Sequence, residues 1–288
     1  MDSHRIAGDG IAATIKADGA ELCSLRDASG AEFLWQALPV WPRHAPVLFP
    51  IVGRLARDTL RHRGRSYPLT QHGFARDRRF AWEERTPTSC RLSLRDDSET
   101  RARYPFAFCF EVSYAVTRDT LSATYAIVNP GEATLLASMG AHPAFRWPLA
   151  DGVPKQAHTL TFAAAEPAPV RRLRDGLLLP ELAPTPVIGT TLHLHESLFA
   201  ADALIFDQPT SPSIRFTAPH APWVEMSWDG FHQLGLWSKP SADFLCIEPW
   251  CGYASPAGFD GEFVEKPGLL LIQPGQRREA THRVRLGA

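Results

Sequence analysis

The sequence predicts an all-β protein, a sandwich or barrel of many short strands, and three observations carry that prediction. Phe106, Phe108, Phe110, Val112, Tyr114 and Val116 alternate without a break against Ala107, Cys109, Glu111, Ser113 and Ala115. A period of two sustained this far marks a strand with one buried face. Short apolar runs recur along the chain at roughly 8–12-residue spacing, as in sandwiches and barrels. Finally, no segment keeps a 3.6-residue apolar period over three turns, and 25 prolines spread along the chain disfavour long helices.

Taken in order, Ile11–Lys16 and Glu21–Leu25 flank Asp18-Gly19 and predict an opening hairpin. Ala31–Trp35 reads as another short strand. Prolines 39, 42, 46 and 50 exclude a helix from 39–53 and predict an ordered, extended loop. After Phe106–Val116 the chain turns at Thr117–Thr120, and Leu121, Ala123, Tyr125 and Ile127 resume the alternation. Asn129-Pro130-Gly131-Glu132 is a turn by residue type, and Thr134–Met139 is a strand leading directly to His142. Further strands are read at Thr159–Phe162, Ala203–Phe206, Ser213–Thr217, Trp223–Trp228, Leu234–Trp237, Phe244–Glu248, Leu269–Gln273 and Arg278–Leu286. The stretch 163–186 shows no clean period and is left unassigned. Without repeats or a low-complexity linker, residues 1–288 read as one domain.

Composition narrows the function classes. A hydrophobic fraction of 44% and a charged fraction of 21% are those of an ordinary globular protein. A formal net charge of -1 gives no electrostatic reason to bind nucleic acid or an anionic membrane. No apolar run is long enough for a membrane-spanning helix. No apolar segment follows Met1-Asp2-Ser3-His4-Arg5, so no secretory signal is expected. Cys23, Cys90, Cys109, Cys246 and Cys251 form an odd set without a C-x-x-C pair. Free, packed thiols and a reducing cytoplasm are therefore expected.

Several chemistries lack their signatures: there is no G-x-S-x-G, G-x-x-x-x-G-K-[ST], H-E-x-x-H or G-x-G-x-x-G. His193-Leu194-His195 has the spacing of two metal ligands on a strand, but no third ligand stands nearby, so an exposed face is expected. His62, among Arg61, Arg63 and Arg65, reads as a solvated hairpin tip. The cluster Arg171, Arg172 and Arg174 is expected at the surface, with a phosphate site as the alternative.

The remaining polar candidates are His72, His142, Glu248, Arg54, Arg76, Asp202 and Asp207. Gln71-His72-Gly73-Phe74-Ala75-Arg76-Asp77 gathers an imidazole, two opposite charges and a flexible glycine in seven residues. His142 precedes Pro143, Glu248 precedes Pro249, and each closes an apolar strand. Pre-proline backbone is biased to extended geometry, so both side chains project from rigid scaffold, where a catalytic group belongs. An isolated histidine beside glycine can equally serve as a hydrogen-bonded structural group. Glu248, after Phe244-Leu245-Cys246-Ile247, is expected to be partly buried and to need a partner or a shifted pKa. These separated segments are expected to meet in one pocket.

Gly53-Arg54, the Gln71–Asp77 motif, Gly140-Ala141-His142-Pro143-Ala144-Phe145 and Ile247-Glu248-Pro249-Trp250 resemble, in order and spacing, the aldose 1-epimerase (galactose mutarotase) superfamily, and within it the bacterial LacX-like branch. The similarity runs from about Gly19 to the C-terminus. It implies a large antiparallel β-supersandwich and interconversion of the α and β anomers of a free sugar without metal or cofactor. On the matching positions it implies Glu248 as general base, His142 as general acid, and His72 and Arg54 as sugar contacts. It further implies a binding aspartate, best placed at Asp202 with Asp207 as rival. Trp250, Phe74 and Phe145 are candidates for the sugar's C–H face or for core packing. The Phe-Ala-Arg sequence after His72-Gly73 also resembles the hexose-6-phosphate branch, which leaves Arg76 open between a phosphate contact and a local ion pair with Asp77. Silent carbohydrate binding and an accessory domain of a polysaccharide-degrading enzyme are the rival functions. A small sugar or sugar phosphate is the expected partner, to a monomer or homodimer.

Overall fold

The long alternating run becomes the strand Cys109–Thr117, in which the core-facing positions are buried and those between them partly exposed. It starts later than its pattern because Pro105 precedes it and the Phe108 N–H is taken by the Asp96 carboxylate at 2.9 Å. Thr120–Val128 pairs with it across the predicted turn, and Arg277–Gly287 pairs on the far side. These strands lie within a nine-stranded sheet ordered Thr191–His193, Thr159–Phe162, Ser213–Thr217, Trp223–Asp229, Arg277–Gly287, Thr120–Val128, Cys109–Thr117, Ser89–Arg95 and Ala81–Arg85. The computed structural model describes residues 2–287.

An eight-stranded sheet covers the inner face of the first. Its order is Leu177–Ala183, Val170–Arg174, Leu204–Phe206, Gln233–Trp237, Phe244–Cys251, Met139–Ala141 and Val47–Leu48, with Ala144–Arg146 also paired to Phe244–Cys251. Ladders between the strands are antiparallel throughout, as the all-β supersandwich expectation requires. The aromatic side chains of the alternating strand fill the space between sheets. Phe110 stacks on Phe49 at 4.5 Å between centroids, and Phe108 lies 4.9 Å from the same ring.

Phe244–Cys251 positions the functional residues, and it is buried at all eight positions. Alternation assigns Leu245, Ile247 and Cys251 to the core between the sheets. Phe244, Cys246, Glu248 and Trp250 therefore face the other way, where Phe244 and Cys246 join Trp35 and Ala144, and Trp250 joins Leu48 and Tyr253. The run 244–247 is apolar without alternation because both faces of this strand are covered.

Several elements differ from the sequence expectations. Ala31–Trp35 makes only isolated bridges at Glu32 and Leu34. The proline-rich loop contains the short strand Val47–Leu48, and the expected strand at 134–139 splits into Leu135–Ala137 and Met139–Ala141. The break falls at Ser138, whose N–H turns away to Pro50 O at 2.8 Å. The unassigned stretch holds the hairpin Val170–Arg174 and Leu177–Ala183, turned by Asp175 and Gly176 at φ 55° and 78°. His62 does end one strand of a hairpin, Thr59–His62 with Arg65–Pro68. His193 and His195 are exposed, and all five cysteines are free. No helix among the described residues is long and apolar enough to cross a membrane.

Phe110 is fully buried and touches Phe49, Phe80 and Tyr125. Phe110→Ala should destabilise the protein by about 3–5 kcal/mol, read from urea unfolding. A loss below about 1 kcal/mol would show that the inter-sheet contact is not the centre of the core.

Candidate active site

The outward face of Phe244–Cys251 forms the floor of a cavity of about 450 Å³. Trp250 lies flat across the flanking strands, which carry glycine where it passes. A Cβ at Gly140 would come within 2.5 Å of the Trp250 ring, and one at Gly235 within 2.4 Å. Those two close approaches let Glu248, the register partner of Gly235, stand beside the indole at the cavity's end.

Glu248 and His142 meet there, as expected for the two pre-proline residues. His142 Nε2 is 3.2 Å from Glu248 Oε2, with the residues only 7% and 1% exposed. The approach has hydrogen-bond length without hydrogen-bond alignment. Glu248 Oε2, His142 Nδ1 and Trp250 Nε1 find no hydrogen-bond partner among the described residues. Burial pushes Glu248 well above the usual carboxylate range, and the negative charge of Asp202 adds to the rise. Burial also pulls His142 well below the usual histidine range, with the Arg76 guanidinium next in effect. Both shifts favour the neutral forms, carboxylic acid and imidazole, over the ion pair.

The His142 ring is enclosed by aromatics. Trp41 stacks on it at 5.2 Å and 28°, Trp237 meets it edge-on at 5.8 Å, and His72 does so at 5.6 Å. Trp41 comes from the proline-rich loop, held over the site by Trp35 Nε1–H to Trp41 O at 2.8 Å and by Lys239 Nζ to Val40 O at 2.7 Å. Sequence reasoning missed Trp41 and Trp237. A tryptophan in a proline-rich loop was the available signal for the first, and a tryptophan at a strand end for the second.

The Gln71–Asp77 motif forms another wall. His72 and Gly53 are tied reciprocally: the His72 N–H donates to Gly53 O at 2.8 Å, and the Gly53 N–H donates to His72 Nδ1 at 3.2 Å. Accepting at Nδ1 puts the proton of the neutral ring on Nε2. Burial and the Arg76 charge hold that ring neutral, so His72 offers the cavity a hydrogen-bond donor. Arg76 also lines the cavity, with one Nη donating to Gln71 O at 2.8 Å. Its Nε is buried without a hydrogen-bond partner and lies 3.8 Å from Asp77, which is instead bonded by Arg43 at 2.8 Å. Burial and the neighbouring Arg43 charge pull Arg76 down to about 10.

Two expected contacts are not brought to the cavity. Arg54 is turned outward onto Asp58, with two contacts of 2.8 Å, so its guanidinium is committed elsewhere. Asp207 is held by Arg171 at 2.8 Å and Gln233 at 3.2 Å, away from the wall. Asp202 does line the cavity, at a left-handed φ of 67°. Of the three aromatics read from the sequence, only Trp250 reaches the cavity. Phe74 packs on Phe49, Tyr104 and Phe108, and Phe145 is fully buried in the main core. Cys246 lies beside the pair: one ligand atom each from His142, Cys246 and Glu248 lies within 4.8 Å of the other two.

The structure thus brings a buried imidazole–carboxyl pair to an aromatic-walled cavity on an antiparallel two-sheet scaffold. The aldose 1-epimerase family profile matches residues 2–285, and the chain belongs to that family. It is 30% identical over 268 residues to the plasmid and chromosomal LacX proteins of Lactococcus lactis subsp. lactis, covering 89% of this chain and 90% of each relative. A galactose mutarotase related enzyme from Lactobacillus acidophilus superposes with a TM-score of 0.92 at 33% identity, over 99% of this chain and 97% of that one. A galactose mutarotase-like protein from Lactobacillus casei gives the same score at 27% identity, over 99% of both chains.

Gly73 has φ 70°, and a Cβ there would lie 2.3 Å from Phe49 O, which accepts from the N–H groups of Phe74 and Ala75. Gly73→Ala should cost at least about 1–3 kcal/mol in stability and loosen His72. Thermal unfolding coinciding with that of the wild type would show the motif to be more compliant than this packing allows.

Proposed function

We propose that the protein is a mutarotase interconverting the α and β anomers of a free aldose, with Glu248 as general base and His142 as general acid. The observation that carries the reading is the buried pair 3.2 Å apart at the cavity's end, with unpartnered polar atoms around it. The ring oxygen and the anomeric hydroxyl are bonded to the same carbon, so groups this close can serve both.

In the ion-pair tautomer the Glu248 carboxylate takes the anomeric hydroxyl proton while the His142 imidazolium protonates the ring oxygen. The C1–O5 bond breaks, leaving an open-chain aldehyde, protonated Glu248 and neutral His142. Burial favours that same neutral pair. Rotation about C1–C2 presents the other carbonyl face. On reclosure His142 recovers the proton from the O5 hydroxyl and Glu248 protonates the former carbonyl oxygen, so the pair ends as it began. His72 Nε2–H and Arg76 supply donors to sugar oxygens, Asp202 an acceptor for a hydroxyl, and the tryptophans apolar faces.

A sugar phosphate is the second reading, favoured by the unpartnered Nε of Arg76 and the adjacent Arg43. Polarimetry of freshly dissolved α-glucose, α-galactose and glucose 6-phosphate tests both readings. At least one should equilibrate faster than in buffer, and Glu248→Gln should remove nearly all of that rate with the fold intact. No acceleration of any of the three, or a fully active Glu248→Gln variant, would sink the proposed assignment. The pH dependence gives a separate check. Because the His142 pKa is lowered, the pair takes up a second proton only below the ordinary histidine value of 6.5. Turnover should therefore persist as pH falls through 6.5 and fail only at lower pH; an acid limb of kcat/KM centred at the ordinary value would contradict it.

A further inference from the structure

We propose that His142, Cys246 and Glu248 form a site for one thiophilic divalent cation of the zinc and cadmium type, and that the bound ion blocks proton transfer by the acid–base pair. The blocking effect rests on the mutarotase reading; the site itself does not.

Cys246 and Glu248 are two residues apart on Phe244–Cys251 and so face the same way. His142 follows Met139–Ala141, which pairs with that strand through Gly140 and Trp250. One ligand atom from each of the three residues lies within 4.8 Å of the other two. Small side-chain shifts would bring an imidazole nitrogen, a thiolate sulfur and a carboxylate oxygen onto one ion. Cys246 is fully buried, and Glu248 Oε2 and His142 Nδ1 are buried without hydrogen-bond partners among the described residues.

The donor types choose the ion. Sulfur and nitrogen favour zinc and cadmium, whereas magnesium and calcium call for oxygen shells. Coordination takes Cys246 as thiolate, Glu248 as carboxylate and His142 as neutral imidazole, and the protons those groups carry leave to solvent. The divalent ion, thiolate, carboxylate and neutral imidazole then sum to zero formal charge, which removes the main penalty for burying an ion. Only His142 and Glu248 of the three line the cavity. Cys246 would therefore hold the ion from below and leave its fourth position open, the arrangement of zinc sites that retain an exchangeable ligand.

Titration of the metal-free chain with Cd²⁺ should show one equivalent bound, with a thiolate-to-cadmium absorption band in the ultraviolet. Cys246→Ala should abolish the band and weaken Cd²⁺ and Zn²⁺ at least about tenfold, while metal-free turnover stays near that of the wild type. Cys251→Ala, on the opposite face of the same strand, should keep the band and act as a folding control. Zn²⁺ should inhibit wild-type turnover more strongly than that of Cys246→Ala. Failure of both ions to bind, or an unchanged band in Cys246→Ala, which retains the other four cysteines, would overturn the site. Binding lost with Cys246 in a chain that equilibrates no sugar would uphold the site and reject the mutarotase reading instead.

Discussion

The contact between His142 and Glu248 exists because a carboxyl group has been placed on a strand with no exposed position. Phe244–Cys251 is covered on one face by the inter-sheet core and on the other by tryptophans, proline-loop residues and the cavity. A carboxylate there loses its water without gaining a full set of hydrogen bonds, so its neutral form is favoured. The histidine is in the same position. Two groups whose neutral forms are favoured by burial thus stand 3.2 Å apart at the cavity's end.

The charges around the pair act in the same direction. Arg76 stands near both histidines and disfavours an imidazolium; Asp202 stands near Glu248 and disfavours a carboxylate. Like charge has been placed beside like-charging group on both sides. This is a poor arrangement for a structural salt bridge, whose function is to stay charged. Both charges favour the neutral forms of the two groups over their ion pair. The aromatic enclosure serves the same end, since Trp41 and Trp237 restrict the imidazole without giving its Nδ1 a hydrogen bond.

Much of this was legible in the sequence, for identifiable reasons. Alternation at 106–116 gave the central strand because one face is core, and the unbroken apolar run before Glu248 gave burial because both faces are. His142 does follow the strand end at Ala141, whereas Glu248, expected to close its strand, lies within it, because the ladder continues past Pro249 to Cys251. The hairpin at 170–183 was not recognised, because its apolar positions follow no period; Asp175-Gly176 was a turn signal that went unused. Arg54 could not be placed from its motif. Whether a guanidinium enters a cavity depends on where its nearest carboxylate lies, and Asp58 captures it one short turn away. The same applies to Asp207, taken by Arg171, while Asp202, bonded by the Ala203 N–H at 2.8 Å, stays on the wall. Trp41 contributes through a loop whose course is set by long-range contacts such as Lys239 to Val40, which no local pattern records.

The floor shows how narrowly the site depends on residues that do no chemistry. Trp250 can lie flat only because Gly140 and Gly235 carry no Cβ, and its ring in turn lines the cavity beside Glu248. A larger residue at either glycine would lift the indole into the cavity, closing the sugar's place and re-solvating or displacing the carboxyl. The motif around Gly73 has the same logic at the opposite wall, where Phe49 O leaves no room for a side chain and so fixes the turn that aims His72. Of the three glycines only Gly235 lies outside the motifs that mark the site, yet each sets the position of a neighbouring side chain by leaving space for something else. Geometry at the His142–Glu248 pair is thus a consequence of packing on the two adjacent strands, and the site is only as well ordered as that packing.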